Sequence, residues 1–350
     1  MMKKILFINC SHEEITSRWI KESFKYSVER SGYTLYQYNI KRDDKSHIIN
    51  QILLLSKDDL ILADLRDHHI DAEYFSAFSN SLPVKFNILI DSDLTFELSN
   101  HVCYNLFDKT LVCFNSTYEK YSANYPKITY LPYCGYVNDK LFLNSEKRKM
   151  SLVFIGSPTP VRLRYLSLLQ MWKIPMITNL TVTKKINFRI PYYNFKFKNR
   201  FFLYIFIRFS NMLGKIFSKN IHYKRKFLSK ESYALAYRQN LVALGIMEYG
   251  RTGLVLPIAY NHIRMRDLEA LCSGCLLVTR ENSDIKTLMN AGIKIYTYVD
   301  NKTLKSAVME ALSETEADII IKKNLEILKK NFDWGKNLSQ LHLYEFANGR

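Results

Sequence analysis

Glycine and proline are scarce, 11 and 8 in 350 residues, which excludes a collagen-like or low-complexity chain. No uninterrupted apolar stretch approaches the roughly 18 residues a membrane helix needs, so no span is expected. Residues 1–10 lack a signal peptide's apolar core and cleavage site, which makes the cytosol the expected compartment. The six cysteines (10, 103, 113, 134, 272 and 275) lie mostly in apolar segments, and without an export signal they read as reduced thiols. Acidic residues are absent from 147–230, a stretch holding 19 of the 50 Lys and Arg. The remainder carries 31 bases and 33 acids, so the whole net charge of +17 belongs to that one segment.

What is present is a folded chain, 47% apolar and 14% aromatic, long enough for two domains with a core each. Residues 3–9 form an apolar run, followed by a polar turn and a helix-like stretch ending at Gly32. That βα opening recurs: strands at 34–40, 60–65, 85–90 and 110–114, with a helix near 47–55. Past Ile128 to Leu131 the periodicity gives way to turn formers and charges through Arg148. A second βα opening starts at Ser151, a strand to Ile155 and a helix carrying Leu163, Leu166, Leu169 and Met171. Helices at 231–239, 264–272, 284–290, 304–312 and 317–331 then alternate with strands at 241–247, 275–279 and 294–298. The pattern predicts an α/β chain of two doubly wound, Rossmann-like domains facing across a cleft. The expected bounds are 1–140 and 147–332, with a basic aromatic insertion at about 184–230 and a helix in 333–350 packing back on the first domain.

In such sheets ligands bind beyond the carboxyl ends of the strands, which selects the polar residues following each strand. In the first domain these include His12, Asp67, His68 and Asp91. Asp91 and His12 are the preferred general bases for deprotonating an acceptor hydroxyl. Asp91-Ser-Asp93 also spells a metal-binding motif, read here as an acceptor-facing turn or a helix cap. In the second domain the edge carries Gly156, Ser157, Arg162 and Arg164.

Residues 263–279, I-R-M-R-D-L-E-A-L-C-S-G-C-L-L-V-T, place two arginines and two acids at a helix opening and close it with Gly274 before a buried strand. Helix N-termini attract anions and arginine adds bidentate phosphate contacts, while Glu269 could accept hydrogen bonds from a ribose diol. A salt-bridged cap pairing Arg266 with Glu269 is the structural alternative. Cys272 and Cys275 have a C-x-x-C spacing, but no second ligand pair accompanies them.

Arg264-Met-Arg266-Asp-Leu-Glu269-Ala with Ser273-Gly274 resembles the C-terminal signature of CgeB-like, spore-maturation type glycosyltransferases. Phe154-Ile155-Gly156-Ser157 with Arg162 and Arg164 is similar to the opening of that family's second domain. Tyr130-Leu131-Pro132-Tyr133 is similar to its linker, and Gly292 with Lys294 to Tyr298 to its closing motif. The resemblance spans about residues 128 to 310 and extends to the group 1 transferases' C-terminal domain. It implies a GT-B fold and a nucleotide-sugar donor held by Arg264, Arg266, Glu269, Gly156, Ser157, Arg162, Arg164 and Tyr237, the last stacking on the base unless it packs in the core. It also implies catalysis without a metal or other cofactor. Of the two glutamates that related enzymes carry with seven residues between them, only Glu269 is present; Asn261 stands at the other position, which leaves inversion or retention open.

Residues 188–227 interleave 13 Phe and Tyr with Lys and Arg, a composition suited to an anionic membrane surface. Nucleic acid is the competing partner, set aside because no recognised module accompanies the patch; a buried helix with Lys-rich ends is the structural alternative. The sequence thus points to a cytoplasmic glycosyltransferase, peripheral on the inner face of the cell membrane, acting in cell-surface glycan synthesis on a glycan, lipid-linked or protein acceptor. A GT-B nucleotide-sugar epimerase and a non-catalytic basic scaffold or nucleic-acid-binding protein are the alternatives.

Overall fold

The structure, a computed structural model, describes residues 3–10, 24–89, 101–135, 137, 148–156, 160–182, 223–225, 230–246 and 263–347. The chain divides into two compact units, Met1–Val137 with Glu326–Arg350, and Asn138–Leu325.

The first unit is built on six parallel strands: β1 (Lys3–Asn9), β2 (Tyr33–Asn39), β3 (Leu60–Asp64), β4 (Val84–Leu89), β5 (Lys109–Val112) and β6 (Ile128–Tyr130), in the order β2-β1-β3-β4-β5-β6. β3 and β4 are apolar nearly throughout because both faces of a parallel sheet are covered. On one face Leu6, Ile8, Ile61 and Ala63 pack with Ile48 and Ile52 of α1 (Lys45–Leu53), and with Tyr74, Ala77 and Phe78 of α2 (Ala72–Asn80). Both helices start on an aspartate: Asp44 accepts the N–H of His47, and Asp71 that of Tyr74. Two shorter helices, α3 (His101–Leu106) and α4 (Asn115–Tyr121), flank β5. The chain reverses its direction of winding between β1 and β3, so the topological switch lies there.

The second unit repeats the scheme with β7 (Lys149–Phe154), β8 (Met176–Thr178), β11 (Asn240–Leu244), β12 (Leu276–Arg280) and β13 (Tyr296–Tyr298), all parallel, in the order β13-β12-β11-β7-β8. Its switch falls between β7 and β11. Connecting helices are α5 (Pro160–Met171), α6 (Lys230–Gln239), α7 (Met265–Cys272), α8 (Ser283–Asn290) and α9 (Asn301–Leu312). A separate antiparallel pair, β9 (Leu180–Val182) with β10 (Tyr223–Arg225), matches Val182 with Tyr223. The two ends of the segment 183–222, where most of the basic aromatic stretch lies, are thereby held side by side; the segment itself lies outside the described residues.

α10 (Ala317–Asn331) straddles the two units. α11 (Trp334–Ala347) belongs to the first, where Trp334 meets Phe24 edge-on and His342 Nδ1 lies 3.0 Å from the Tyr33 hydroxyl. Asp333 caps α11 by accepting the N–H of Lys336, and the Ser27 hydroxyl donates to the same oxygen. The N–H of Gly335 donates to the Ser27 hydroxyl at 2.7 Å.

Candidate active site

In the second sheet the switch point ends in two glycines. Gly245 follows β11 immediately, and its N–H donates to the Val278 carbonyl while its own carbonyl accepts from the Tyr298 hydroxyl. A β-carbon placed on it would lie 2.5 Å from both Asp267 Oδ1 and Thr279 Oγ1. Gly156 follows β7 by two residues, and the Asn179 amide brackets it, accepting its N–H and donating to its carbonyl. A β-carbon there would lie 2.7 Å from Arg266 Nη1. At both positions the absence of a β-carbon leaves the space in which the polar first turn of α7 lies against the backbone.

That turn is organised by Asp267. Its Oδ2 accepts the N–H of Arg264, the residue before the helix, while the peptide N–H of Asp267 donates back to the Arg264 carbonyl. One residue earlier, the Ile263 N–H donates to Asp284 at the start of α8. Asp267 is only 3% exposed. Burial pushes its carboxyl up to about 6, against the pull of the Arg264 N–H and of the charges on Arg266, Arg264 and Arg162. The positive charges of Arg266, Arg264 and Arg162 thus act on one buried carboxylate at a helix N-terminus, where the backbone dipole adds to them.

The far end of α7 explains the Ser-Gly pair in the motif. The N–H of Gly274 donates to Leu271 and that of Cys275 to Ala270, a Schellman closure that needs the left-handed conformation Gly274 adopts, φ +76. Cys275 donates its thiol to the Tyr237 carbonyl, and burial pushes that thiol up to about 12, so the C-x-x-C spacing serves packing.

The structure thus brings together Gly156, Arg162, Arg264 and Arg266 of the sequence-derived set. Glu269, half-buried, stands one turn along α7 from Arg266. Arg164, two residues from the buried Arg162, lies about 200° around α5 and does not share its face. Tyr237 is not brought to this edge. It is buried on α6, three residues before β11, and Arg148 and Cys275 donate to its carbonyl at the amino end of the sheet, so it packs there and its backbone lies far from Gly245. Gly156 also enters differently from a phosphate-cradling glycine, since Asn179 takes its N–H and its lack of a side chain admits Arg266. Ser157 lies outside the described residues.

Asp267, Gly245 and Asn179 are additions. A glycine directly after an apolar strand is a visible signal for Gly245, and an acid three residues into a helix for Asp267. Asn179 offers none.

At the switch point of the first sheet, the Asn87 amide brackets Leu65, accepting its N–H and donating to its carbonyl. Arg66 Nη1 lies 2.8 Å from Asp64, and its N–H donates to His69 Nδ1. Asp67 accepts the N–H groups of Val102 and Cys103, and so caps α3. His68 is exposed, its ring 3.9 Å from that of His69. Burial, then the charge of Asp64, raises the Cys10 thiol above its ordinary value, and burial does the same to Cys103. The general bases named from sequence, His12 and Asp91, lie outside the described residues. Among the described residues, no group of three or more His, Cys, Asp or Glu could hold a metal ion.

Two parallel doubly wound sheets, each open at its own switch point, form the fold of GT-B glycosyltransferases. Residues 206–342 match a sequence family described as glycosyl transferase-like. Solved structures of similar fold include an α,α-trehalose-phosphate synthase (UDP-forming) from Burkholderia vietnamiensis, 12% identical with TM-score 0.55 over 98% of this chain and 99% of that one. Anabaena HepE, in complex with UDP and glucose, is 10% identical with TM-score 0.55 over 97% and 99%. A glycosyltransferase from Rickettsia africae is 11% identical with TM-score 0.52 over 97% of each. No curated protein sequence matches the chain. None of these matches favours an epimerase.

Proposed function

We propose that the chain is a GT-B glycosyltransferase of the CgeB-like type, transferring a hexosyl group from a nucleotide-sugar to a glycan, lipid-linked or protein acceptor in cell-surface glycan synthesis. The observation that carries this reading is the arginine cluster, Arg162, Arg264 and Arg266, gathered around Asp267 at the β7/β11 switch and the N-terminus of α7. A departing nucleoside diphosphate develops about two negative charges, which preorganised guanidiniums and the helix dipole offset without a metal. Glu269 on the same helix accepts hydrogen bonds from the ribose, and a first-unit base, His12 or Asp91, takes the acceptor's proton. UDP is the first nucleotide to try, since it is bound in the HepE structure of similar fold.

The test is a thermal-shift screen with UDP, GDP, dTDP, CDP and CMP, repeated on Glu269→Ala. A nucleotide at 100 times its Kd adds about 2.7 kcal/mol to stability, a rise of several degrees for one member of the panel, lost or greatly reduced in the variant. No rise with any of the five, in a folded sample, overturns the reading.

We place the enzyme in the cytoplasm at the inner face of an anionic membrane, bound through 184–230, where each Lys or Arg near the surface contributes about 1 kcal/mol. Co-sedimentation with phosphatidylserine vesicles should fall sharply when Lys224, Arg225 and Lys226 are replaced by Glu. Equal pelleting of both proteins removes this patch as the anchor.

A further inference from the structure

We propose that Asp267 is a positioning residue which takes up a proton from solvent when the donor diphosphate binds, so that donor affinity is coupled to pH through a group that does not touch the substrate. The inference rests on the reading of the arginine cluster as the diphosphate site.

The geometry places a carboxylate behind that cluster and closes it off from water. Oδ2 is held by the Arg264 N–H, and Oδ1 lies against the backbone of Gly245, with the Thr279 hydroxyl at the same glycine. Among the described residues, the charges acting on it are Arg266 of its own helix, Arg264 just before that helix, and Arg162 of α5. Asp284 of α8 is engaged with the Ile263 N–H, the Tyr298 hydroxyl of β13 is engaged with the Gly245 carbonyl, and β11 contributes only backbone. The guanidiniums are what keep a buried carboxylate ionisable, and burial already raises its affinity for a proton to about 6.

A diphosphate arriving on the other side of the same guanidiniums competes for them. It brings two negative charges close to a third that cannot move into water, and like charges at such range favour protonation of the one that can accept it. The balance is simple: one proton leaves the buffer and the O–H bond forms on Asp267, which removes that carboxylate's negative charge from beside the guanidiniums that meet the ligand. By linkage, the ligand's Kd rises with pH across the interval in which the free protein has lost that proton and the complex has kept it.

The experiment is isothermal titration of the full chain with UDP-, GDP-, dTDP-, CDP- and ADP-glucose, whose diphosphate diesters keep a constant charge between pH 5 and 8. Each is run in buffers of differing ionisation enthalpy, which yields the protons taken up per ligand bound. For the diester that binds, the expected uptake is between about one third and one proton at pH 7. It should fall towards zero at pH 5, where Asp267 is protonated in both states, and Kd should weaken several-fold from pH 6 to pH 8. Asp267→Asn should bind with no uptake and a flat pH profile. It should also gain in Tm relative to the native chain as pH rises from 4.5 to 7.5, because ionising the native carboxyl inside the fold costs stability over that window.

Binding without proton uptake by the native chain overturns the proposal and leaves the diphosphate site standing. The same uptake in Asp267→Asn also overturns it, by assigning the proton to another group. Failure of all five diesters to bind overturns both the proposal and the reading beneath it. If the variant does not fold, the native chain's proton count alone decides.

Discussion

Arg266→Ala is expected to raise the donor's Kd by about tenfold to a hundredfold, the worth of a charge-assisted contact, and to lower turnover by a further margin towards the hundred- to thousandfold loss seen when a transition-state donor is removed. Arg266 earns this weight from its position. Its Nη1 lies where a β-carbon on Gly156 would collide at 2.7 Å, so the guanidinium lies against the switch-point backbone, the edge at which doubly wound sheets bind ligands. Charge develops on the leaving diphosphate as the glycosidic bond breaks, so the contact strengthens along the reaction and its loss appears in kcat as well as in binding. Arg266→Lys should recover only part of the activity, because an ammonium keeps the charge without the planar fork. The assay is nucleoside diphosphate release from the nucleotide-sugar picked out by the thermal-shift screen. A kcat/KM within threefold of the native value for the alanine variant would remove Arg266 from the site.

Gly335→Ala is expected to destabilise the first unit by about 3 kcal/mol or more, the upper range for overpacking. Local propensity predicts the opposite sign, since alanine inside a helix is favoured over glycine by about 1 kcal/mol. Packing decides. A β-carbon at Gly335 would stand 2.1 Å from the Ser27 carbonyl oxygen and 2.5 Å from the Ser31 hydroxyl. The first of these belongs to a helical backbone and cannot swing aside. Relief requires α11 to back away, which breaks the hydrogen bond from the Gly335 N–H to Ser27 and loosens Trp334 from Phe24. Thermal denaturation of the first unit should show a fall of roughly 6–12 °C, taking 2–4 °C per kcal/mol for a folding unit the size of residues 1–137 with 326–350. A melting temperature equal to the native one would show that the two helices are not locked together as described.

The elements read from sequence are those whose pattern is decided locally. The sequence predicts α10 at both its ends, Ala317 and Asn331, because its apolar residues recur at helical spacing over 15 positions. The strands at the centres of the two sheets announce themselves as short apolar runs, since both faces are buried. What escapes is short or half-exposed. β8, three residues with none fully buried, and the β9/β10 pair carry no periodicity to detect. α2 hides because its buried face is only Tyr74, Ala77 and Phe78, although Asp71 stood at its start as a cap.

The site divides along the same line. Arg264, Arg266 and Glu269 are legible because one helix turn places them together. Their setting is not, because Gly245, Asp267, Asn179 and Gly156 meet through contacts between residues 22 to more than 100 positions apart. Tyr237 shows the converse: an aromatic next to a strand is legible, but which end of the sheet it occupies follows from strand direction, and that puts it at the amino edge.

The return of residues 326–350 to the first unit also sets an order on biosynthesis. The ribosome makes β1 to β6 first, then the 188 residues of the second unit, and only afterwards the helix bearing Trp334, Leu338 and His342. At about 5–20 residues per second this is a delay of roughly 10–40 s, during which Phe24 and Tyr33 lack the helix whose Trp334 and His342 meet them. The second unit, continuous in sequence, can finish before the first. Nascent chains of this protein should therefore expose an apolar face of the first unit until residues 326–350 have been made, and that face is where a ribosome-associated chaperone would be engaged.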